Sequence, residues 1–137
     1  MSVSPGARIL LAEDEPSIVA SLSFLLGRAG FEVVVESDGA RAVERIFEEA
    51  PALVLLDVMM PGMNGFEALR RLREDPRTRD MPVVMLTAKG QREDRETAMR
   101  LGASAFITKP FANAEVVDAV CSLAPSPVDA GNEARKG

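Results

Sequence analysis

The chain has 137 residues, of which 47% are hydrophobic and 27% charged, a mixture that suits one folded domain and excludes a disordered chain. It has no histidine and one cysteine, which excludes a Ser-His-Asp triad, a histidine-ligated metal, a phosphohistidine carrier and an internal disulfide. The net charge of -5 argues against direct nucleic-acid binding, and no apolar run approaches the ~18–20 residues that span a bilayer, so a cytoplasmic protein without membrane contact is expected.

Residues 1–7 read as an N-terminal arm. Ile9–Ala12 follows as a short buried strand that stops at Glu13-Asp14-Glu15, too short for the apolar part of a signal peptide. Ile18, Leu22, Leu25 and Leu26 then recur at helical spacing over residues 17–29, closed by Gly30. Phe31–Val35 is a second strand, and residues 40–50 form a helix with Val43, Ile46 and Phe47 on one face, stopped by Pro51.

Leu53-Val54-Leu55-Leu56 is the most apolar strand and runs directly into Asp57. After the turn-rich Met60-Pro61-Gly62-Met63-Asn64-Gly65, residues 66–73 read as a basic-faced helix. Val83–Leu86 is a fourth strand ending at Thr87, residues 93–101 a polar helix closed by Gly102, and Ala105–Ile107 a fifth strand leading to Lys109. Residues 114–123 form the last helix, with Val116, Val117, Val120 and Leu123 as its buried stripe and Cys121 expected in the core. Residues 124–137 carry Pro125, Pro127 and Gly131 without periodicity and read as a flexible C-terminal tail.

Strands that are apolar on both faces belong to parallel sheets. Five βα units joined by short loops therefore predict an α/β fold, a doubly wound (βα)5 sandwich over residues 8–123. In such sheets the site lies beyond the carboxyl ends of the strands. Those ends carry Glu13, Asp14, Asp57, Thr87 and Lys109. Taken singly, each has an ordinary explanation: acidic residues start helices, an aspartate starts a turn, and surface threonines and lysines are common. Their joint placement does not. Three carboxylates in one crevice need a cation to stay ionised, and an all-oxygen set suits Mg²⁺. A lysine and a threonine beside that metal can hold phosphoryl oxygens, which leaves Asp57 as the nucleophile that would accept the phosphoryl group.

The segments Leu-Ala-Glu-Asp-Glu, Leu-Leu-Asp-Val-Met-Met-Pro-Gly-Met-Asn-Gly, Leu-Thr-Ala and Ile-Thr-Lys-Pro-Phe together resemble a response-regulator receiver domain of two-component signalling, CheY-like and of the single-domain type, from about Arg8 to Leu123. The resemblance implies the flavodoxin-like strand order 2-1-3-4-5. It implies phosphorylation of Asp57 by a sensor histidine kinase or histidine phosphotransfer protein, and Mg²⁺ held by Glu13, Asp14, Asp57 and the backbone carbonyl of Met59. Thr87 matches the switch hydroxyl, Lys109 the lysine paired with the phosphoryl group, and Phe106 the switch aromatic. The Lys109-Pro110 bond is expected to be cis. The domain would not be a turnover enzyme but would assist its own phosphorylation and dephosphorylation. It would bind a downstream protein target through its fourth helix, fifth strand and fifth helix, as a monomer or a phosphorylation-dependent dimer. Phe106, lacking a hydroxyl, cannot make the surface hydrogen bond that some relatives use.

Met59 and Lys89 flank the acceptor, and neither is an acid or amide that orients an attacking water, so slow self-dephosphorylation is expected. Met59 also speaks against an aspartyl-phosphate phosphatase of the haloacid dehalogenase type, which needs an acid two residues after its nucleophile. A flavodoxin is disfavoured because no Tyr or Trp exists to flank a flavin. The alternative is the input domain of a longer DNA-binding transcriptional regulator, although Gly102-Ala103-Ser104-Ala105 lacks the acidic residue that one such subfamily uses in dimer salt bridges.

Overall fold

A computed structural model describes residues 6–87 and 92–124. Five strands alternate with five helices: β1 (Arg8–Ala12), α1 (Pro16–Arg28), β2 (Glu32–Glu36), α2 (Gly39–Glu49), β3 (Leu53–Asp57), α3 (Gly65–Glu74), β4 (Val83–Thr87), α4 (Arg92–Arg100), β5 (Ala105–Thr108) and α5 (Asn113–Leu123). The strands form one parallel sheet in the order β2-β1-β3-β4-β5, the flavodoxin-like arrangement. Most predicted boundaries lie within a residue of the observed ones. Lys89, residues 1–5 and residues 125–137 lie outside the described residues.

Period-two alternation along the central strands divides the core into two halves. Leu10, Val54, Leu56, Met85 and Phe106 face α2, α3 and α4, where Ile46, Leu69, Leu72 and Ala98 meet them. Ile9, Leu11, Leu53, Leu55, Val84, Leu86 and Ile107 face α1 and α5, against Leu22, Leu26, Val116 and Val120. Each fully buried leucine in these layers stabilises the fold by roughly 2 kcal/mol. β2, at the sheet edge, is only half-buried and bounded by Glu32 and Glu36.

Two of the helices start where the chain supplies a side-chain cap. The Asp38 side chain accepts a hydrogen bond from the Arg41 amide (3.0 Å) at the start of α2, and Asn64 accepts from the Glu67 amide (3.0 Å) at the start of α3. Arg70 and Arg71 of α3 pair within their own helix, Arg70 with Glu67 and Glu74, and Arg71 with Glu67, as a solvated face should, whereas Arg73 donates to the Gly102 and Thr78 carbonyls. Cys121 corrects the sequence reading: it is exposed. The buried stripe of α5 runs through Val116 and Val120 to Ala124, and Cys121 stands about 100° round the helix from Val120. Ala124, where a tail was expected to begin, is itself buried. Among the described residues no helix is long and apolar enough to cross a membrane.

Candidate functional site

The carboxyl ends of the parallel strands share one edge of the sheet, and main-chain hydrogen bonds continue one residue past them. The Glu13 amide donates to the Glu36 carbonyl (3.0 Å), the Val58 amide to the Leu86 carbonyl (2.8 Å), and the Lys109 amide to the Thr87 carbonyl (2.6 Å). The backbone beneath Glu13, Asp57, Thr87 and Lys109 is thus fixed by the sheet.

Glu13, Asp14 and Asp57 each offer a carboxylate oxygen within 4.8 Å of the others. Glu13 and Asp57 are buried while Asp14 is exposed, so the cluster opens to solvent on the Asp14 side. The Lys109 ammonium reaches into it, donating to Asp57 Oδ2 (3.0 Å) and Glu13 Oε2 (3.2 Å). Nζ also stands 3.0 Å from Glu13 Oε1, but not in hydrogen-bonding alignment, and that buried oxygen has no hydrogen-bond partner among the described residues. Asp57 Oδ1 accepts from the Met59 amide (3.1 Å), and Glu13 Oε2 from the Glu15 amide (3.2 Å).

The electrostatics follow from this geometry. Burial raises the pKa of Glu13 and the charge on Asp57 adds to that, while the hydrogen bond from Lys109 works against them. For Lys109 burial lowers the pKa, but the hydrogen bonds from its ammonium to Glu13 and Asp57, with their charges, outweigh it and hold the pKa above the ordinary value. Among the described residues three carboxylates face one ammonium, a formal excess of two negative charges. An all-oxygen donor set with an orphaned buried oxygen and that excess fits a hard divalent cation such as Mg²⁺.

Thr87 is buried at the end of β4, between the strands that end at Asp57 and lead to Lys109. The Lys109-Pro110 peptide is cis. Phe106 is not drawn into the carboxylate cluster: its ring lies in the core between the sheet and the helices, under the Arg95 guanidinium, 5.1 Å from the ring centroid. Met59 carries its side chain outward, 61% exposed. Beside Lys109 a groove of about 490 Å³ opens, walled by Ser17, Ile18 and Ser21 of α1 and by Pro110, Phe111 and Asn113.

Two contacts of the site have no signal in hydrophobic periodicity. Arg95 above Phe106 is one. The other is the seating of the loop after Asp57 on the first residues of α2, for which a glycine at the first helical position is the one local clue.

The profile of the response regulator receiver domain matches residues 9–121. Over 110 residues the chain is 44% identical to the phosphate regulon transcriptional regulatory protein PhoB of Escherichia coli (strain K12), a match covering 80% of this chain and 48% of PhoB. The chain thus spans about half the length of the curated relatives it matches. Among solved structures, the BeF3-activated N-terminal receiver domain of Klebsiella pneumoniae RstA is similar with a TM-score of 0.78 and 34% identity, over 85% of this chain and 97% of that one. The chemotaxis protein CheY4 of Vibrio cholerae is similar with a TM-score of 0.79 and 28% identity, over 85% and 98%.

Proposed function

The chain belongs to the response regulator receiver domain family, and from that premise we propose that it accepts a phosphoryl group on Asp57 from a sensor histidine kinase or a histidine phosphotransfer protein. The observation that carries this reading is Lys109 Nζ held between Asp57 and Glu13 in a pocket where, among the described residues, three carboxylates face one ammonium.

In the transfer, an Asp57 carboxylate oxygen attacks the phosphorus of the donor phosphohistidine. The new O–P bond forms as the P–N bond breaks, and the imidazole leaves with that electron pair and takes up a proton. Lys109, charged at neutral pH, offsets the negative charge on the phosphoryl oxygens. Glu13, Asp14, Asp57 and the Met59 carbonyl are the residues that would hold Mg²⁺. When bound, Mg²⁺ supplies positive charge to those same oxygens.

Thr87 turns its hydroxyl toward the phosphoryl group and Phe106 repacks with it. The α4-β5-α5 face, with Met99, Arg100 and Ser104, changes its affinity for a downstream protein target. The domain, residues 8–123, is a signalling module that assists its own phosphorylation and dephosphorylation in the cytoplasm. A second reading, the input half of a DNA-binding regulator, is favoured by the identity to PhoB, of which this chain covers 48%.

The test is intact mass and amide spectra after incubation with Mg²⁺ and acetyl phosphate, or with beryllofluoride. An adduct of one phosphoryl unit, absent in Asp57→Ala, with shifts spreading to Thr87, Phe106 and α4, is the expected result. No adduct and no response to Mg²⁺ would leave only a receiver-shaped binding scaffold.

A further inference from the structure

We propose that the start of α2 positions the acceptor loop, with Gly39 as a positioning residue for the Met59 carbonyl. The inference rests on the receiver reading above.

The Gly39 amide donates to the Pro61 carbonyl at 2.8 Å. The first amides of a helix have no partner within it and carry partial positive charge, so the loop carbonyl fills a vacancy that α2 must satisfy. The approach leaves no room for a side chain: a Cβ on Gly39 would lie 2.0 Å from the Met63 carbonyl oxygen. Asp38 braces the same turn. One of its oxygens caps α2 through the Arg41 amide. The other lies where a Cβ on Gly62, at φ +88°, would come within 2.4 Å.

The near end of the loop is fixed independently, by the Met59 amide on Asp57 Oδ1 (3.1 Å) and the Gly65 amide on the Val58 carbonyl (2.8 Å). Met59 therefore sits midway between two anchors, Asp57 on the sheet and Pro61 on α2. Moving the α2 anchor moves the Met59 carbonyl. A glycine at the first position of α2 is then explained by what lies against it.

Coupling of this kind is reciprocal. A cation bound at the carboxylates should tighten the first turn of α2, and a displaced first turn should weaken the cation.

The experiment titrates Mg²⁺ into wild type, Gly39→Ala and Gly27→Ala, following amide shifts for the dissociation constant and thermal melts for stability. Gly27 is the control for the same chemical change, since its added Cβ meets no atom within 4 Å. Gly39→Ala is expected to weaken Mg²⁺ about tenfold, with Gly27→Ala unchanged. A Gly39→Ala protein that melts lower but binds Mg²⁺ as wild type does would show a packing role only and overturn the proposal.

Should Gly39→Ala not fold, hydrogen exchange on wild type decides. Under conditions where the Gly39 amide exchanges by local opening, faster than the core amides of β1 and β3 that report global unfolding, saturating Mg²⁺ is expected to slow its exchange about fivefold or more. The Ala124 amide, which exchanges by fraying of the end of α5, is the unaffected reference. Equal exchange with and without Mg²⁺ would overturn the proposal. A wild-type protein that binds no Mg²⁺ overturns the receiver reading first, before any variant is made, and this inference with it.

Discussion

Lys109 donates a hydrogen bond from Nζ to Asp57 Oδ2 over 3.0 Å, reaching from the end of β5 past the whole of β4 to the end of β3. The same ammonium is the only cation paired with Glu13 among the described residues. Lys109→Met would leave two buried carboxylates facing one another. A stability loss of about 1–3 kcal/mol in Mg²⁺-free buffer is expected, somewhat below the usual cost of breaking a buried pair, because the Asp14 side of the cluster is open to water. Urea unfolding with and without Mg²⁺ would measure it. A loss that Mg²⁺ partly restores supports the charge account, and no loss at all would refute it.

Mg²⁺ itself should stabilise the fold by mass action, since the oxygens converge only in the native state. At about ten times the dissociation constant the gain is roughly 1.4 kcal/mol. Asp57→Asn removes one of the three carboxylates while keeping the shape of the side chain. Its expected signature is a folded protein whose melting temperature no longer responds to Mg²⁺, checked by calorimetry at matched ionic strength. An Asp57→Asn protein that responds as fully as wild type would place the cation elsewhere.

The carboxyl of Asp75, just past α3, is held down to about 2 by the hydrogen bond from the Arg77 side chain and then by that from the Arg77 amide. Its folded pKa lies below the ordinary value of 3.8, so the native state binds fewer protons there than the unfolded state. The contribution is therefore fully present above pH 3.8 and is lost as pH falls toward 2. A carboxyl titration by carbon NMR should show the low midpoint, and Arg77→Ala should move it upward, part of the way only, since the backbone amide remains. A midpoint that does not move would mean that the guanidinium is not the cause.

Ala50, after α2, holds a left-handed backbone at φ 48° while its amide donates to the Ile46 carbonyl at 2.9 Å. An L-residue with a Cβ pays roughly 1–2 kcal/mol there, and glycine pays little. Ala50 is exposed, so Ala50→Gly loses no core contact. A gain of about 0.5–1 kcal/mol is expected from chemical denaturation, with the slope unchanged.

The site was legible in the sequence to the extent that sheet geometry dictates it. Parallel strands read as unbroken apolar runs, and whatever follows each run must gather at one edge. Glu13, Asp14, Asp57, Thr87 and Lys109 could therefore be placed together from spacing alone. Three features were not legible. Cys121 follows an apolar stripe so closely that its rotation out of the stripe depends on where Ala124 packs. The Arg95 guanidinium over Phe106 joins α4 to β5, and the Gly39–Pro61 hydrogen bond joins α2 to the loop after β3. Both contacts depend on how helices settle on the sheet, which local periodicity does not encode.

Met59 governs the last expectation. Its amide holds Asp57 Oδ1 at 3.1 Å while its side chain is 61% exposed. A thioether neither accepts a proton nor aligns a water strongly, so hydrolysis of an Asp57 phosphoryl group would lack a partner to orient the attacking oxygen. Slow loss of phosphate in Mg²⁺ buffer is expected, followed by phosphoprotein gel or intact mass. Met59→Asn supplies an amide at the same position without disturbing the backbone hydrogen bond. It should speed the loss, by about tenfold if positioning a water is what wild type lacks. Equal decay in the two proteins would mean that access to the phosphorus, not orientation of the water, sets the rate.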